Sequence, residues 1–171
     1  MPERPEPDLD QVRSALRGHD DREQEAQAGA RPAPAEGVAY AALDLDGEER
    51  FQPLRRELGV STFGLNLIRL RPGQRGRIHR HERQEEVYVV LEGTLTLEVE
   101  GTPRELPRGS AARVAPDVRR RLVNAAPEPL AVLAIGGAQA HEGRDGVAFT
   151  SWEDETGAPP QEIPLPPDLE D

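Results

Sequence analysis

Two histidines and a nearby carboxylate are the residues of this chain best suited to chemistry. His79 and His81 lie two positions apart, so on a β-strand they project from the same face. Glu86 follows within seven residues, with Glu85 beside it. Two imidazoles and one carboxylate suit a divalent ion such as iron, manganese, nickel or zinc with open coordination positions. A His-x-His pair alone is also typical of a solvated surface strand, so the surrounding sequence has to decide.

The elements that would position these residues are short strands. Apolar runs separated by Gly and Pro extend from Val38 to Trp152, a pattern typical of an all-β sandwich or barrel. The Glu92-Gly93 pair predicts a hairpin turn, and Gln52 to Leu58 is the one stretch with a brief helical pattern. The predicted strands are Val38 to Leu45, Ser61 to Arg71, Arg77 to His81, Glu86 to Leu91, Thr94 to Val99, Ala111 to Ala115, Arg119 to Asn124, Leu130 to Ile135 and Val147 to Thr150.

Charge divides the 171 residues into three regions. The whole chain has a formal charge of −11, and all its basic side chains are Arg. Residues 1–50 carry 13 acidic side chains and 6 Arg, residues 51–140 carry 10 and 14, and residues 141–171 carry 9 and 1. With the proline distribution, this predicts an acidic flank over 1–37, a β-barrel domain over 38–152 and an acidic tail over 153–171. Both flanks are expected to be mobile, apart from a marginal helix from Pro7 to Leu16.

Composition also excludes several classes of protein. The chain has no cysteine, which excludes disulfides and thiolate metal sites and favours a reduced, cytoplasmic compartment. The longest apolar run, Leu130 to Ile135, is far shorter than the roughly 20 residues that cross a bilayer, and the acidic N-terminus does not resemble a secretion signal. Overall acidity argues against nucleic acid as a partner. The basic group from Arg69 to Arg83 is expected to form surface ion pairs.

The spacing around the histidines resembles a known family motif. Gly73, His79, His81, Glu86 and Gly93 follow the pattern G-x5-H-x-H-x4-E-x6-G, which is similar to the first motif of the cupin superfamily. The distance to Gly93 favours Glu86 over Glu85 as the third ligand. The resemblance extends over roughly residues 60–137. It implies a single-domain, all-β, double-stranded β-helix (jelly-roll) barrel with a ligand site between two sheets. The charge and proline distribution adds disordered or loosely packed acidic flanks to this barrel.

The second cupin motif is degenerate in this chain. Residues 109–124 supply Gly109, Pro116 and Asn124, but Asp117 stands where the turn glycine is usual. Arg120 stands where the family places its fourth metal ligand, a histidine. A guanidinium has no lone pair for a metal and repels a dication, so Arg120 cannot be a ligand.

Arg120 leaves three arrangements open. His79, His81 and Glu86 could hold a metal while Arg120 turns outward or binds an anionic substrate. Alternatively, Arg120 could pair with Glu86 in a cavity without metal. In the third arrangement Arg120 binds an acid or phosphate ligand directly.

Two functions follow from the resemblance. The first is a metal-dependent oxygenase or isomerase; the second is a non-catalytic module that binds a small anionic or polar ligand. Tyr88 and Asn124 share faces with the predicted site and are candidate ligand-binding residues beside Arg120. Edge strands commonly pair between subunits in this family, so a homodimer is expected, with Val38 to Leu45 at its interface.

Overall fold

A computed structural model describes residues 37–137 and 145–169. These residues are nearly all β, with ten strands in two five-stranded antiparallel sheets, one short α-helix and one 3-10 helix near the C-terminus. The strands are β1 (Phe51–Gln52), β2 (Phe63–Leu70), β3 (Ile78–His81), β4 (Glu85–Glu92), β5 (Thr94–Val99), β6 (Thr102–Pro107), β7 (Ala111–Val114), β8 (Arg120–Val123), β9 (Leu130–Gly137) and β10 (Gly146–Phe149). Helix α1 is Leu54–Leu58 and the 3-10 helix is Pro160–Glu162.

The two sheets enclose the main core between them. The first has the order β1-β2-β9-β4-β7 and the second β10-β3-β8-β5-β6. Inward side chains of both sheets, among them Tyr88, Leu95 and Val132, are almost fully buried. Leu54 of α1 and Leu67 of β2 form a second cluster on the outer face of the first sheet. Burial on both faces explains why β9 reads as a continuous apolar run.

Eight of the nine predicted strands are confirmed to within a few residues, but Val38 to Leu45 is not a strand. Ala41 and Leu45 pack onto the outer cluster. The amide of Gln52 donates from Nε2 to the Ala42 carbonyl at 2.9 Å and accepts from the Asp44 backbone N–H at 3.1 Å. A side chain therefore supplies hydrogen bonds that a neighbouring strand would have provided, and the alternating apolar pattern could not distinguish the two.

The predicted hairpin at Glu92-Gly93 is wrong, because β4 and β5 lie in different sheets. Gly93, with φ of +71°, instead lets the chain cross between sheets close to the Pro129 carbonyl. The true hairpin joins β5 to β6 through Glu100 and Gly101, both at positive φ, as a tight two-residue turn requires. Strand β6 was not predicted, and its two prolines are tolerated because it is an edge strand.

Residues 153–169 differ from the mobile tail expected there, since they lie along the barrel. Ala158 exchanges two backbone hydrogen bonds with Ala148 of β10, and the Leu169 N–H donates to the Gly73 carbonyl at 2.7 Å. Arg75 and Arg77 donate to carbonyls of the same segment. The predicted helix from Pro7 to Leu16 lies outside the described residues, as does the rest of the N-terminal flank. No helix in the described ranges has the length and apolar character to cross a membrane.

Candidate functional site

His79, His81 and Glu86 come together between the sheets. β3 presents both histidines and β4 presents the carboxylate. Oε2 of Glu86 lies 3.7 Å from Nε2 of His79 and 3.4 Å from Nε2 of His81, and the three potential ligand atoms lie within 4.8 Å of one another. Donors bound tetrahedrally to one ion at about 2.0–2.2 Å stand roughly 3.3–3.6 Å apart. The three residues therefore fit a divalent metal ion.

Hydrogen bonds on the far side of each ring fix which nitrogen faces the centre. Nδ1 of His79 lies 3.1 Å from the Arg77 carbonyl, and Nδ1 of His81 lies 2.8 Å from Oδ1 of Asp145. Both partners only accept hydrogen bonds, so each Nδ1 carries the proton and donates it. Each neutral ring therefore presents the lone pair of Nε2 to the centre, the form that binds a metal.

Asp145 is a functional residue that the sequence analysis missed. It is buried, and its carboxylate also accepts hydrogen bonds from the backbone N–H groups of Arg83 and Gln84. Burial acts to raise its pKa, but the Gln84 N–H and His81 outweigh that effect and lower it. No local spacing could identify Asp145, because it lies 64 positions after His81 and only the pairing of β10 with β3 brings them together.

Arg120 points into the barrel. It is fully buried, and β3 pairs His79 directly with it. Its Nη2 donates to Oε2 of Glu86 at 2.9 Å, Nη1 to the Val118 carbonyl at 3.1 Å and Nε to the Tyr88 hydroxyl at 3.3 Å. Arg120 is therefore engaged with protein groups on all three nitrogens, and it does not line the cavity.

The charges of the site are strongly coupled. Burial alone would raise the pKa of Glu86, but the neighbouring His79 and His81 side chains and the charge of Arg120 hold that pKa well below its usual range. Burial also opposes protonation of His81, yet its contacts with Glu86 and Asp145 raise its pKa. Burial and the neighbouring carboxylate raise the pKa of Tyr88, so its hydroxyl stays protonated.

Tyr88 and Asn124, the other two candidate ligand-binding residues, occupy different environments. The Tyr88 hydroxyl donates to Oε2 of Glu86, and its side chain lines the cavity. Asn124 is fully buried away from that cavity. Its amide donates to the carbonyls of Leu70 and Glu128 at 2.9 and 2.8 Å and accepts from the Ala126 N–H. These contacts give Asn124 a structural role in the turn before β9.

A cavity of about 250 Å³ opens beside the His79, His81 and Glu86 cluster. Residues from both sheets and from the C-terminal segment line it: Arg50, Phe51, Asn66, Ile68, Leu70, Gly76, Arg77, His79, His81, Glu86, Tyr88, Leu122, Ala134, Gly146, Pro160 and Leu165. The cavity thus combines a mainly apolar wall with a few convergent polar groups, the usual make-up of a small-molecule site.

The basic group around the histidines is only partly a set of surface ion pairs. Arg80 pairs with Asp117 at the surface, as expected. Arg69 is instead buried and donates to the carbonyls of Asp44 and Glu49. Asp117 has φ of +64°, which is the left-handed conformation that the usual glycine would adopt at this position.

Comparison with known proteins agrees with this architecture. Residues 66–136 match the family model described as a cupin domain. A cupin protein from Bacteroides fragilis superposes with a TM-score of 0.53 at 23% identity, covering 62% of this chain and 89% of that one. A sugar phosphate isomerase of the cupin superfamily from Silicibacter pomeroyi gives 0.50 at 25% identity, covering 68% and 79%.

A third structure, described as a putative sugar phosphate isomerase from Acidithiobacillus ferrooxidans, gives a TM-score of 0.51 at 21% identity and covers 69% of this chain and 80% of its own. No curated protein matches the chain.

Proposed function

The chain belongs to the cupin superfamily, and on that basis we propose that its barrel binds a divalent metal ion through His79, His81 and Glu86 and catalyses an isomerase-type reaction on a small polar substrate. The observation that carries the proposal is the orientation of the two imidazoles. Both Nε2 lone pairs converge on Glu86, and each Nδ1 is held by an acceptor. Rings that only filled space would not need this arrangement.

The charge balance of the site supports a bound cation. Glu86 and Asp145 contribute two negative charges next to His81, whereas Arg120 contributes one positive charge. Buried charge of one sign is unfavourable unless it is paired. A proton on His81 or a metal ion at the ring nitrogens would compensate the remaining negative charge. With a dication the cluster would carry one net positive charge, which favours a substrate with an anionic or strongly polar oxygen.

The residues of the site would each have a separate role in the reaction. When bound, the metal would supply Lewis acidity that polarises a carbonyl or hydroxyl oxygen of the substrate. Arg120 and Tyr88 keep Glu86 ionised and fix its Oε2 through hydrogen bonds. Asp145 fixes the ring of His81. The apolar residues of the cavity, such as Ile68, exclude water and so strengthen polar interactions inside it.

The isomerase class is favoured over an oxygenase by one comparison. The Silicibacter pomeroyi protein, which is described as a sugar phosphate isomerase, shares 25% identity with this chain and covers more than two thirds of it. A small, partly polar cavity next to a Lewis-acidic centre would suit an aldose or ketose derivative. We therefore propose small hydroxy-carbonyl compounds as the substrate class.

A matched pair of carboxamide variants tests the metal site. Glu86→Gln removes the charged ligand, whereas Glu85→Gln changes the preceding residue, whose carboxylate pairs with Arg113 at the surface. Metal content after purification and titration with Mn²⁺, Ni²⁺ and Zn²⁺ would be measured. We expect wild type and Glu85→Gln to hold about one ion. Glu86→Gln should lose more affinity than the roughly 10–100-fold typical of removing an outer hydrogen-bond partner. Equal metal binding by all three proteins would refute the assignment.

Turnover would be measured separately with a panel of aldose and ketose phosphates. We expect metal-dependent interconversion in wild type and in Glu85→Gln, and none in Glu86→Gln. If wild type holds stoichiometric metal but converts no member of the panel, the isomerase assignment is wrong while the metal site stands.

A non-catalytic binding module is the second candidate, and the contact between Arg120 and Glu86 favours it. In the absence of metal this ion pair already satisfies the Glu86 carboxylate. On this alternative, wild type holds no metal, and Arg120→His creates a site by supplying a third imidazole as the fourth ligand. Stoichiometric metal in wild type would exclude it, and Arg120→His that gains no metal affinity would also count against it.

A further inference from the structure

The cavity contains a charged group that the metal site does not use. Arg50, just before β1, lines the same cavity as His79 and His81. Its Nη1 atom is buried and has no hydrogen-bond partner among the described residues. Buried polar groups in native proteins are almost always paired with protein, water or ligand, because an unpaired one loses its hydration without compensation. Arg50 therefore has a donor available for a group that enters the cavity.

The charges around Arg50 favour an anion as that group. Arg77 also lines the cavity, and its Nε donates to the Ile163 carbonyl. Burial lowers the pKa of Arg50. The negative charge of Asp168 acts to raise this pKa, whereas the positive charges of Arg77 and Arg71 lower it further. Two neighbouring positive charges thus act on Arg50, against one negative charge. An anion accepting from Nη1 would satisfy the orphan donor and reduce the repulsion among the arginines.

We propose that the cavity binds a small organic anion whose carboxylate or phosphate group accepts a hydrogen bond from Arg50 Nη1, with Arg77 adding positive charge. This assigns to Arg50 the anion-binding role that was one of the three arrangements open for Arg120, whose three nitrogens each donate to a protein group. The volume is below the roughly 300–1,000 Å³ of sites for drug-sized ligands, so the ligand is small. The proposal extends the proposed function by naming the charge of the substrate, but it rests on residues that are not metal ligands.

The test compares two arginines that differ in their relation to the cavity. Arg50→Met removes the orphan donor, whereas Arg71→Met removes an exposed neighbouring charge that does not line the cavity. Inorganic phosphate and acetate would each be titrated into the full-length chain by calorimetry, and thermal unfolding would check that each variant folds. We expect saturable binding of at least one probe to wild type. Affinity should fall about 10-fold or more in Arg50→Met, as for loss of a charge-assisted hydrogen bond, and about 2-fold or less in Arg71→Met.

A third variant should gain affinity, which loss of structure cannot mimic. Asp168 is exposed and its carboxylate acts on Arg50 as a competing anion. Asp168→Asn is therefore expected to tighten binding of the same probe. The probe that binds more tightly identifies the chemical class of the ligand. Tighter binding of phosphate indicates a phosphorylated substrate, and tighter binding of acetate indicates a carboxylic acid.

The proposal is overturned if neither probe binds, if Arg50→Met and Arg71→Met weaken binding equally, or if Asp168→Asn does not tighten it. Repeating the titration in Glu86→Gln separates this proposal from the metal site. Anion binding that persists there while metal binding is lost supports the Arg50 site independently. Anion binding that disappears with the metal ligand overturns the assignment of the anion to Arg50.

Discussion

Removal of the Arg120 guanidinium tests the electrostatic description of the site. In Arg120→Met, Glu86 would keep a buried carboxylate without its cation, and the Val118 carbonyl would lose its donor. Removing one partner of a buried ion pair costs about 3–5 kcal/mol. The Glu86 side chain keeps 15% of its exposure at the cavity wall, so water or a proton can reach it. We therefore expect a loss of about 3 kcal/mol, the lower end of that range.

Arg113→Met is the matched control. Arg113 pairs with Glu85, the residue before Glu86, but both side chains of this pair are at least half exposed. Exposed pairs contribute about 0–1 kcal/mol, so the control should lose no more than that. Urea unfolding in EDTA, followed by fluorescence, would measure both variants. Trp152 is the single tryptophan, and it lies under the guanidinium groups of Arg119 and Arg121, so its emission reports unfolding.

The result that refutes the description is an Arg120→Met variant as stable as Arg113→Met. Equal stability would mean that Glu86 does not depend on Arg120 for its charge. A second readout uses metal: because the variant lacks the repelling guanidinium, Zn²⁺ should raise its unfolding midpoint more than it raises that of wild type. A smaller rise in the variant would contradict the expected repulsion between the Arg120 guanidinium and the ion.

Four further predictions concern other parts of the molecule. Gly93→Ala should lower the free energy of unfolding by more than about 2 kcal/mol, because its new Cβ would lie 2.4 Å from the Pro129 carbonyl oxygen. In the control Gly109→Ala the new Cβ meets nothing within 4 Å, so the protein should lose only the roughly 1–2 kcal/mol that a left-handed backbone costs a residue other than glycine. Equal urea midpoints for the two variants would contradict this prediction. Asn124→Ala should lower the free energy of unfolding by about 2–4 kcal/mol, because it leaves buried backbone groups unpaired. Its affinity for phosphate should stay unchanged. A loss of phosphate affinity without a loss of stability would instead indicate that Asn124 binds the ligand. Backbone and hydroxyl donors of Thr150, with the N–H groups of Gly157 and Thr156, lower the pKa of Asp154 from 3.8 to about 2. Its stabilising contribution is therefore complete above about pH 4 and lost as the pH falls through 2, and an NMR titration midpoint near 4 would contradict these contacts. The homodimer stays a prediction. The side chains of Tyr40 and Phe51 are 85% and 54% exposed, and exposed apolar surface of this kind marks a site of protein–protein contact. Light scattering should therefore give twice the 18.8 kDa mass of one chain, and Tyr40→Ser should lower the measured mass.

Local pattern was sufficient to predict most of the strands and the cluster of His79, His81 and Glu86. The alternation in Thr94 to Val99 fixed that strand to the residue, because side-chain period along a strand is a local property. His79 and His81 fell on one face for the same reason, and the motif spacing selected Glu86 over Glu85. Both are encoded within the consecutive residues from Gly73 to Gly93, so the sequence was enough.

The errors occurred where partners come from distant parts of the chain. Val38 to Leu45 has the alternation of a strand, but its hydrogen bonds are made by the Gln52 side chain, which a pattern cannot reveal. The Glu92-Gly93 turn has hairpin composition, yet which sheet receives the next strand is decided by packing of the whole barrel. The edge strand β6 was missed because its prolines are acceptable only once the edge is known.

The sequence by itself determined that the chain is a β-barrel with two histidines and a carboxylate on facing strands and an arginine in place of a fourth ligand. The tertiary structure decided what each charge does. It directs Arg120 to Glu86 and Tyr88, brings Asp145 to His81 across 64 residues, and leaves Nη1 of Arg50 unpaired in the cavity. The physical reason is that burial and pairing set the behaviour of a charge, and both depend on neighbours that only the folded chain assembles.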